Sequence, residues 1–143
     1  MGLVRDGLER LLRSRLCAST PAQVGYLAGL EQDRGWMETY SERVLRRRDH
    51  CLKRIAQIDG LEVEQPGGAF YMFVRLTDER WANDDKAFVL QLLHEEHVLL
   101  VHGSGFSPQL GKGHVRLVYL VTLEVLDEVF DRIERFLKKH RGH

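Results

Sequence analysis

Cysteine is scarce in this sequence: two among 143 residues, Cys17 and Cys51. They form neither a C-x-x-C pair nor a framework of four or more, so a disulfide scaffold and a thiolate metal centre both lack their usual signature. Reduced thiols are the expectation in a chain that shows no export signal. An excess of one charge is also missing, because 21 basic residues face 21 acidic ones. That balance argues against a nucleic-acid binder, which normally carries a clear basic surplus. No apolar run approaches the roughly 18–20 residues of a membrane-spanning helix. The opening residues, Met1-Gly2-Leu3-Val4-Arg5-Asp6, form no secretory apolar segment, and Asp6 stands where a myristoylation motif needs Ser or Thr. Repeats and low-complexity linkers are absent too. What remains is a chain that is 43% hydrophobic and 29% charged. Its length suits one domain over 1–143, able to hide roughly 68–70% of its unfolded surface. The composition predicts a cytoplasmic globular protein.

Periodicity sets the elements. Apolar residues at 3, 4, 8, 11, 12 and 16 predict a helix over Leu3–Leu16. Ser19-Thr20-Pro21 is a helix start, and the helix it opens should reach Gly29 or Leu30. A longer helix follows, with Trp36, Tyr40, Val44, Cys51, Ile55 and Ile58 along one face. Its other face carries Arg43, Arg46, Arg47, Arg48, Lys53 and Arg54, read as a solvated basic face. Asp59-Gly60 ends it.

The period then changes to two. Leu61, Val63 and Gln65 alternate with Glu62 and Glu64, Pro66-Gly67-Gly68 makes a turn, and Ala69 to Leu76 returns as an inner strand of a hairpin. Asn83-Asp84-Asp85 can cap a helix over Lys86–His94. Val98–Val101 reads as a short apolar strand, Gly103–Gly113 as a glycine-rich loop, and His114–Val121 as the last strand. Thr122 caps a final helix with Leu126, Val129, Phe130, Ile133, Phe136 and Leu137 inward. The predicted fold class is α/β (an α+β layer): a small, mostly antiparallel sheet of about four strands packed with helices.

Few constellations carry chemistry. The loop from Gly103 to Gly113 has the wrong spacing for a phosphate loop, lacks a hydroxyl after Lys112, and puts Pro108 where a dinucleotide fingerprint needs its third glycine. No helix is predicted after it to receive an anion. His94-Glu95-Glu96-His97 is not H-E-x-x-H and reads as polar helix-end residues. Ser104 beside His102 lacks a nucleophile-elbow setting and a third member. Arg116 carries more weight. It interrupts the apolar strand His114-Val115-Arg116-Leu117-Val118-Tyr119-Leu120 directly after the loop. A guanidinium suits bidentate carboxylate recognition, and burying one is costly unless it is paired. From the residues alone, an exposed strand face and an anion anchor stand level.

Several segments together resemble a known family. Pro66-Gly67-Gly68-Ala69-Phe70-Tyr71 is similar to the P-x-G-A-F-Y segment of class I/II pyridoxal-phosphate-dependent aminotransferases. Val98-Leu99-Leu100-Val101-His102-Gly103-Ser104-Gly105-Phe106 and Gly113-His114-Val115-Arg116-Leu117 resemble its loop-then-arginine signature. Arg15-Leu16-Cys17 with Pro21 and Gln23, and the long helix through Arg47-Arg48-Asp49, match the preceding stretch. The similarity runs in order over nearly the whole chain and is strongest to the alanine-aminotransferase-like branch. His102 departs from the Pro common at its position, and Ser107 from a common Gly.

The resemblance implies the C-terminal small domain of such an enzyme, in which Arg116 binds the α-carboxylate of an amino-acid or 2-oxo-acid substrate and the domain closes over it. It implies pyridoxal 5′-phosphate in a full-length enzyme, homodimeric and acting on an alanine-like amino acid. The Schiff-base lysine belongs to a large domain outside this chain, since Lys53, Lys86, Lys112, Lys138 and Lys139 fall at none of the motif positions. No catalytic, cofactor-binding or metal residue is therefore expected here, and the chain alone should be inactive. A second reading is a non-catalytic interaction or dimerisation module that kept the fold.

Overall fold

The structure, a computed structural model, describes residues 2–14 and 17–141. The chain divides into two compact units, Met1–Glu38 and Thr39–His143. In the first, α1 (Gly2–Ser14) and α2 (Thr20–Glu31) form where the periodicity and the Ser19-Thr20-Pro21 start placed them. Ser19 is the N-cap and Pro21 sits in the first turn, where its missing N–H leaves no intrahelical bond unmade. Neither helix buries a residue. Arg15 and Leu16, part of the predicted first helix and of the family resemblance, lie outside the described residues.

The third helix, α3 (Gly35–Ile55), lies mostly in the second unit. Its predicted apolar face is only partly used. Cys51, Ile55 and Ile58 are buried, but Trp36 is 63% and Tyr40 47% exposed. The opposite face departs from a purely solvated one. Arg43, Arg46 and Lys53 are exposed, whereas Arg47, Arg48 and Arg54 are half-buried and bonded. Arg47 donates to the Leu120 carbonyl at 2.8 Å, and Arg54 reaches Asp127 and Asp131 of the last helix at 2.6 Å each. These arginines stitch α3 to the rest of the unit.

Four strands make one antiparallel sheet: β1 (Leu61–Val63), β2 (Tyr71–Leu76), β3 (Val101–His102) and β4 (His114–Val118), in the order β1-β2-β4-β3. The hairpin expected around Pro66-Gly67-Gly68 joins β1 and β2, pairing Leu61 with Leu76 and Val63 with Val74. The run Val98–Val101 is shorter as a strand than predicted. Only Val101 and His102 pair with β4, while Val98 and Leu100 turn inward and Leu99 is 71% exposed. The last strand ends at Val118, not Val121.

Two helices precede β3. The short α4 (Glu79–Asn83), which the periodicity did not reveal, is capped by Asp78 accepting the Arg80 N–H at 3.0 Å. Then α5 (Asp85–Glu96) starts at Asp84, whose side chain accepts the Ala87 N–H at 2.9 Å. The chain closes with α6 (Leu123–His140), begun at Thr122 as predicted.

One face of the sheet is the core. Met72, Val74 and Leu76 of β2 and Val115 and Leu117 of β4 pack with Ile55, Phe88, Leu92, Phe130, Ile133 and Phe136 from the helices. Because side chains alternate across a strand, Tyr71, Phe73, His114 and Arg116 must lie on the other face. That free face holds the candidate site.

Candidate functional site

Arg116 stands at the centre of the free face, its Cα opposite Phe73 on one side and Val101 on the other. Alternation with the buried Val115 and Leu117 puts it away from the core, yet it is half-buried. Aromatic rings enclose it. The guanidinium carbon lies 4.8 Å from the Phe106 ring centre and 5.5 Å from that of Tyr71. Phe73 packs edge-on to Phe106, with ring centres 5.6 Å apart.

Arg116 differs from the other half-buried arginines. Arg47 and Arg132 donate to carbonyl oxygens, and Arg48 and Arg54 to carboxylates. Among the described residues, the buried Nε of Arg116 has no hydrogen-bond partner. A half-buried cation held by ring faces, its buried donor unpartnered, is poised for an external anion. A carboxylate matches the planar fork best.

The loop from Gly103 to Gly113 supplies Phe106 and is tightly folded. It opens with a 3-10 turn, Gly103–Gly105, and leads into β4 with no helix after it, which rules out the phosphate-loop geometry. Two glycines touch backbone to backbone. A Cβ on Gly103 would come within 2.2 Å of the Gly111 carbonyl oxygen, and one on Gly111 within 2.0 Å of that of Gly103. Only glycine fits at either position.

A third member does stand beside Ser104 and His102, but in an order unsuited to nucleophilic catalysis. Asp85, 3% exposed, accepts the Ser104 N–H at 2.8 Å and its hydroxyl at 2.7 Å, while His102 Nδ1 lies 3.0 Å from the same hydroxyl. The serine thus gives its only proton to the carboxylate, whereas a nucleophile must give it to the imidazole. Asp85 escaped the sequence reading because Asn83-Asp84-Asp85 signals a helix cap; only the fold brings it to Ser104.

The remaining sequence candidates are structural. His94 and His97 are exposed ends of α5, and among the described residues no group of three or more His, Cys, Asp or Glu could hold a metal ion. Glu95 and Glu96 are engaged by cations instead. Lys139, then His140 and Gln91, hold the Glu95 carboxyl down to about 2, and Arg135 holds that of Glu96 below its usual range. Cys17 is exposed. Burial, reinforced by Asp127, pushes the Cys51 thiol up to about 12, far from a reactive thiolate.

Pyridoxal phosphate asks for a lysine amine inside a pocket and an acid beside the ring nitrogen. The residues present do not fit it. All five lysines are exposed, and Lys138 and Lys139 are paired with Glu134 and Glu95. The one buried acid among the described residues, Asp85, has both oxygens occupied by Ser104.

Comparison with known proteins identifies the family. The family model "Aminotransferase class I and II" matches residues 4–133. The glutamate-pyruvate aminotransferase AlaA of Haemophilus influenzae is 34% identical over 143 residues, covering 95% of this chain and 34% of its own length. AlaA of Escherichia coli K12 is 33% identical over 139 residues, covering 92% of this chain and 33% of its own length. Among solved structures, the alanine aminotransferase from Pyrococcus furiosus superposes with a TM-score of 0.84 at 44% identity, over 96% of this chain and 34% of that one. The aspartate aminotransferase from Thermotoga maritima does so with a TM-score of 0.72 at 36% identity, over 85% of this chain and 29% of its own. The chain spans about a third of the length of these relatives. It belongs to the class I and II aminotransferase family.

Proposed function

We propose that this chain, over 1–143, is the C-terminal small-domain part of a pyridoxal-phosphate-dependent aminotransferase that moves an amino group between an alanine-like amino acid and a 2-oxo acid. The observation that carries the reading is Arg116: half-buried, its Nε unpartnered, and set between the rings of Tyr71 and Phe106 on the free sheet face. In this role Arg116 receives the substrate α-carboxylate, and the unit closes over the bound substrate. The alanine-like substrate rests on the likeness to the alanine and glutamate-pyruvate aminotransferases. The cofactor, its lysine and the dimer partner belong to the longer enzyme, consistent with a chain whose residues do not fit the cofactor. Among the described residues no helix is long and apolar enough to cross a membrane; the location we assign to that enzyme is the cytoplasm.

The test is Arg116→Ala in the full-length enzyme. KM for the amino-acid substrate should rise about 100-fold while the cofactor absorbance is unchanged, because the lost hydrogen bonds are to substrate and not to cofactor. An unaltered KM contradicts the role. Mixed with pyridoxal phosphate, the 143-residue chain should develop no stable Schiff-base absorbance; a stable band would overturn the division of labour between this part and the rest.

A further inference from the structure

Resting on the reading of Arg116 as the carboxylate anchor, we infer that Asp85 and Ser104 are positioning residues for that arginine, acting through Phe106. Arg116 has no polar partner to fix its buried Nε, so ring contacts must set where its guanidinium points. One ring, Tyr71, stands on β2 and is placed by the sheet, its Cα opposite Val118. The other, Phe106, packs edge-on to Phe73 of β2, but its backbone stands on a loop that carries no strand pairing and needs a support of its own.

Asp85 provides that support. It lies in the first turn of α5, where the helix dipole and the free N–H groups favour a carboxylate. A buried carboxylate is costly unless its oxygens are bonded. Here the Ser104 N–H satisfies Oδ2 at 2.8 Å and the Ser104 hydroxyl satisfies Oδ1 at 2.7 Å. One residue thus donates two hydrogen bonds to one carboxylate, which fixes both the position and the rotation of the turn. The hydroxyl, its proton spent on Asp85, accepts from His102 Nδ1 at 3.0 Å, which tethers the turn to the end of β3. Phe106 follows two residues later, its N–H bonded to the Gly103 carbonyl at 2.9 Å. The path from helix α5 to the guanidinium therefore runs Asp85, Ser104, Phe106, Arg116, each step a direct contact except the two-residue backbone link.

A structural brace and a positioning device predict different kinetics. If the brace only held the fold together, its loss would lower stability without a selective effect on substrate binding. If it aims Arg116, its loss spares the chemistry and weakens carboxylate capture.

The experiment compares Ser104→Ala, Ser104→Thr, Asp85→Asn and Arg116→Ala in the full-length holoenzyme, reading KM and kcat for L-alanine. In the 143-residue chain, the Arg116 Nε–H resonance, displaced by the Phe106 and Tyr71 ring currents, gives a readout free of activity. Ser104→Ala should raise KM about tenfold with kcat within about twofold and move the resonance, and Ser104→Thr, which keeps the hydroxyl, should restore both. Asp85→Asn, which retains one acceptor, should fall between. If Arg116→Ala raises KM while Ser104→Ala and Asp85→Asn leave KM and the resonance as in the wild type, the positioning role is wrong and the anchor stands. A fall in kcat with KM unmoved also overturns the positioning role. If Arg116→Ala itself leaves KM unchanged, the anchor reading fails first.

Discussion

The Arg116 guanidinium and the Phe106 ring lie 4.8 Å apart, a strand residue and a loop residue in direct cation–π contact. This pair joins the sheet, which places the charge, to the glycine-rich loop, which shapes what surrounds it. Removing the ring while keeping apolar bulk therefore isolates the contact. Phe106→Leu should weaken substrate binding by roughly 0.5–2 kcal/mol, the range for such contacts, seen as a raised KM with little change in kcat. Identical KM values for the two proteins would show that the ring does not act on the arginine.

The loop tolerates no side chain at its tightest crossing. Gly103→Ala puts a Cβ against the Gly111 carbonyl oxygen at 2.2 Å, where backbone must move. The second unit should lose on the order of 3 kcal/mol. Thermal unfolding followed by circular dichroism would register this as a clear drop in Tm, and an unchanged Tm would mean that the loop can open at no cost.

The two thiols should behave oppositely. Cys17 is exposed, while Cys51 is buried with its thiol pushed up to about 12. A chromogenic thiol reagent at pH 8 should modify one cysteine in the native chain and both in denaturant. The linkage has a definite sign. Above the ordinary value of 9.0 the unfolded chain releases the Cys51 proton and the native chain keeps it, so this residue's contribution to stability fades from pH 9 toward 12. Cys51→Ala should flatten that decline; an equal slope in both proteins would exclude it.

Acid acts through another residue. Lys139, His140 and Gln91 hold Glu95 ionised down to about 2. Below its ordinary value of 4.5 the unfolded chain takes up a proton that the native chain refuses, so the Glu95 contribution is present above pH 4.5 and is lost as pH falls toward 2. Urea unfolding at stepped pH should show a shallower acid slope for Glu95→Gln than for the wild type. Matching slopes would remove Glu95 from the account.

Much of this was legible in the sequence where a local rule sufficed. The hairpin followed from the two-residue alternation at Leu61–Gln65 and from Pro66-Gly67-Gly68, and α5 from the acidic cap at Asp84. What escaped depended on distant partners. Val98–Val101 has strand composition, yet only its last residue finds a ladder partner, because burial of Val98 and Leu100 needs no pairing. The five-residue α4 is too short to show a period. The basic run on α3 looked solvated because Asp127, Asp131 and the Leu120 carbonyl lie more than 70 positions away. At the site, alternation with Val115 and Leu117 could place Arg116 opposite the core but could not say whether a counter-ion met it. Asp85 was hidden behind its role in the helix start.

The central claim is that Arg116 recognises a carboxylate, and it is tested most directly by comparing L-alanine with ethylamine, the same amine lacking that group. In the full-length holoenzyme, kcat/KM for L-alanine should exceed that for ethylamine by a wide margin. Arg116→Ala should erase about 100-fold of the difference while leaving the ethylamine value near that of the wild type. A variant that retains the whole preference for the carboxylate-bearing substrate would contradict the assignment.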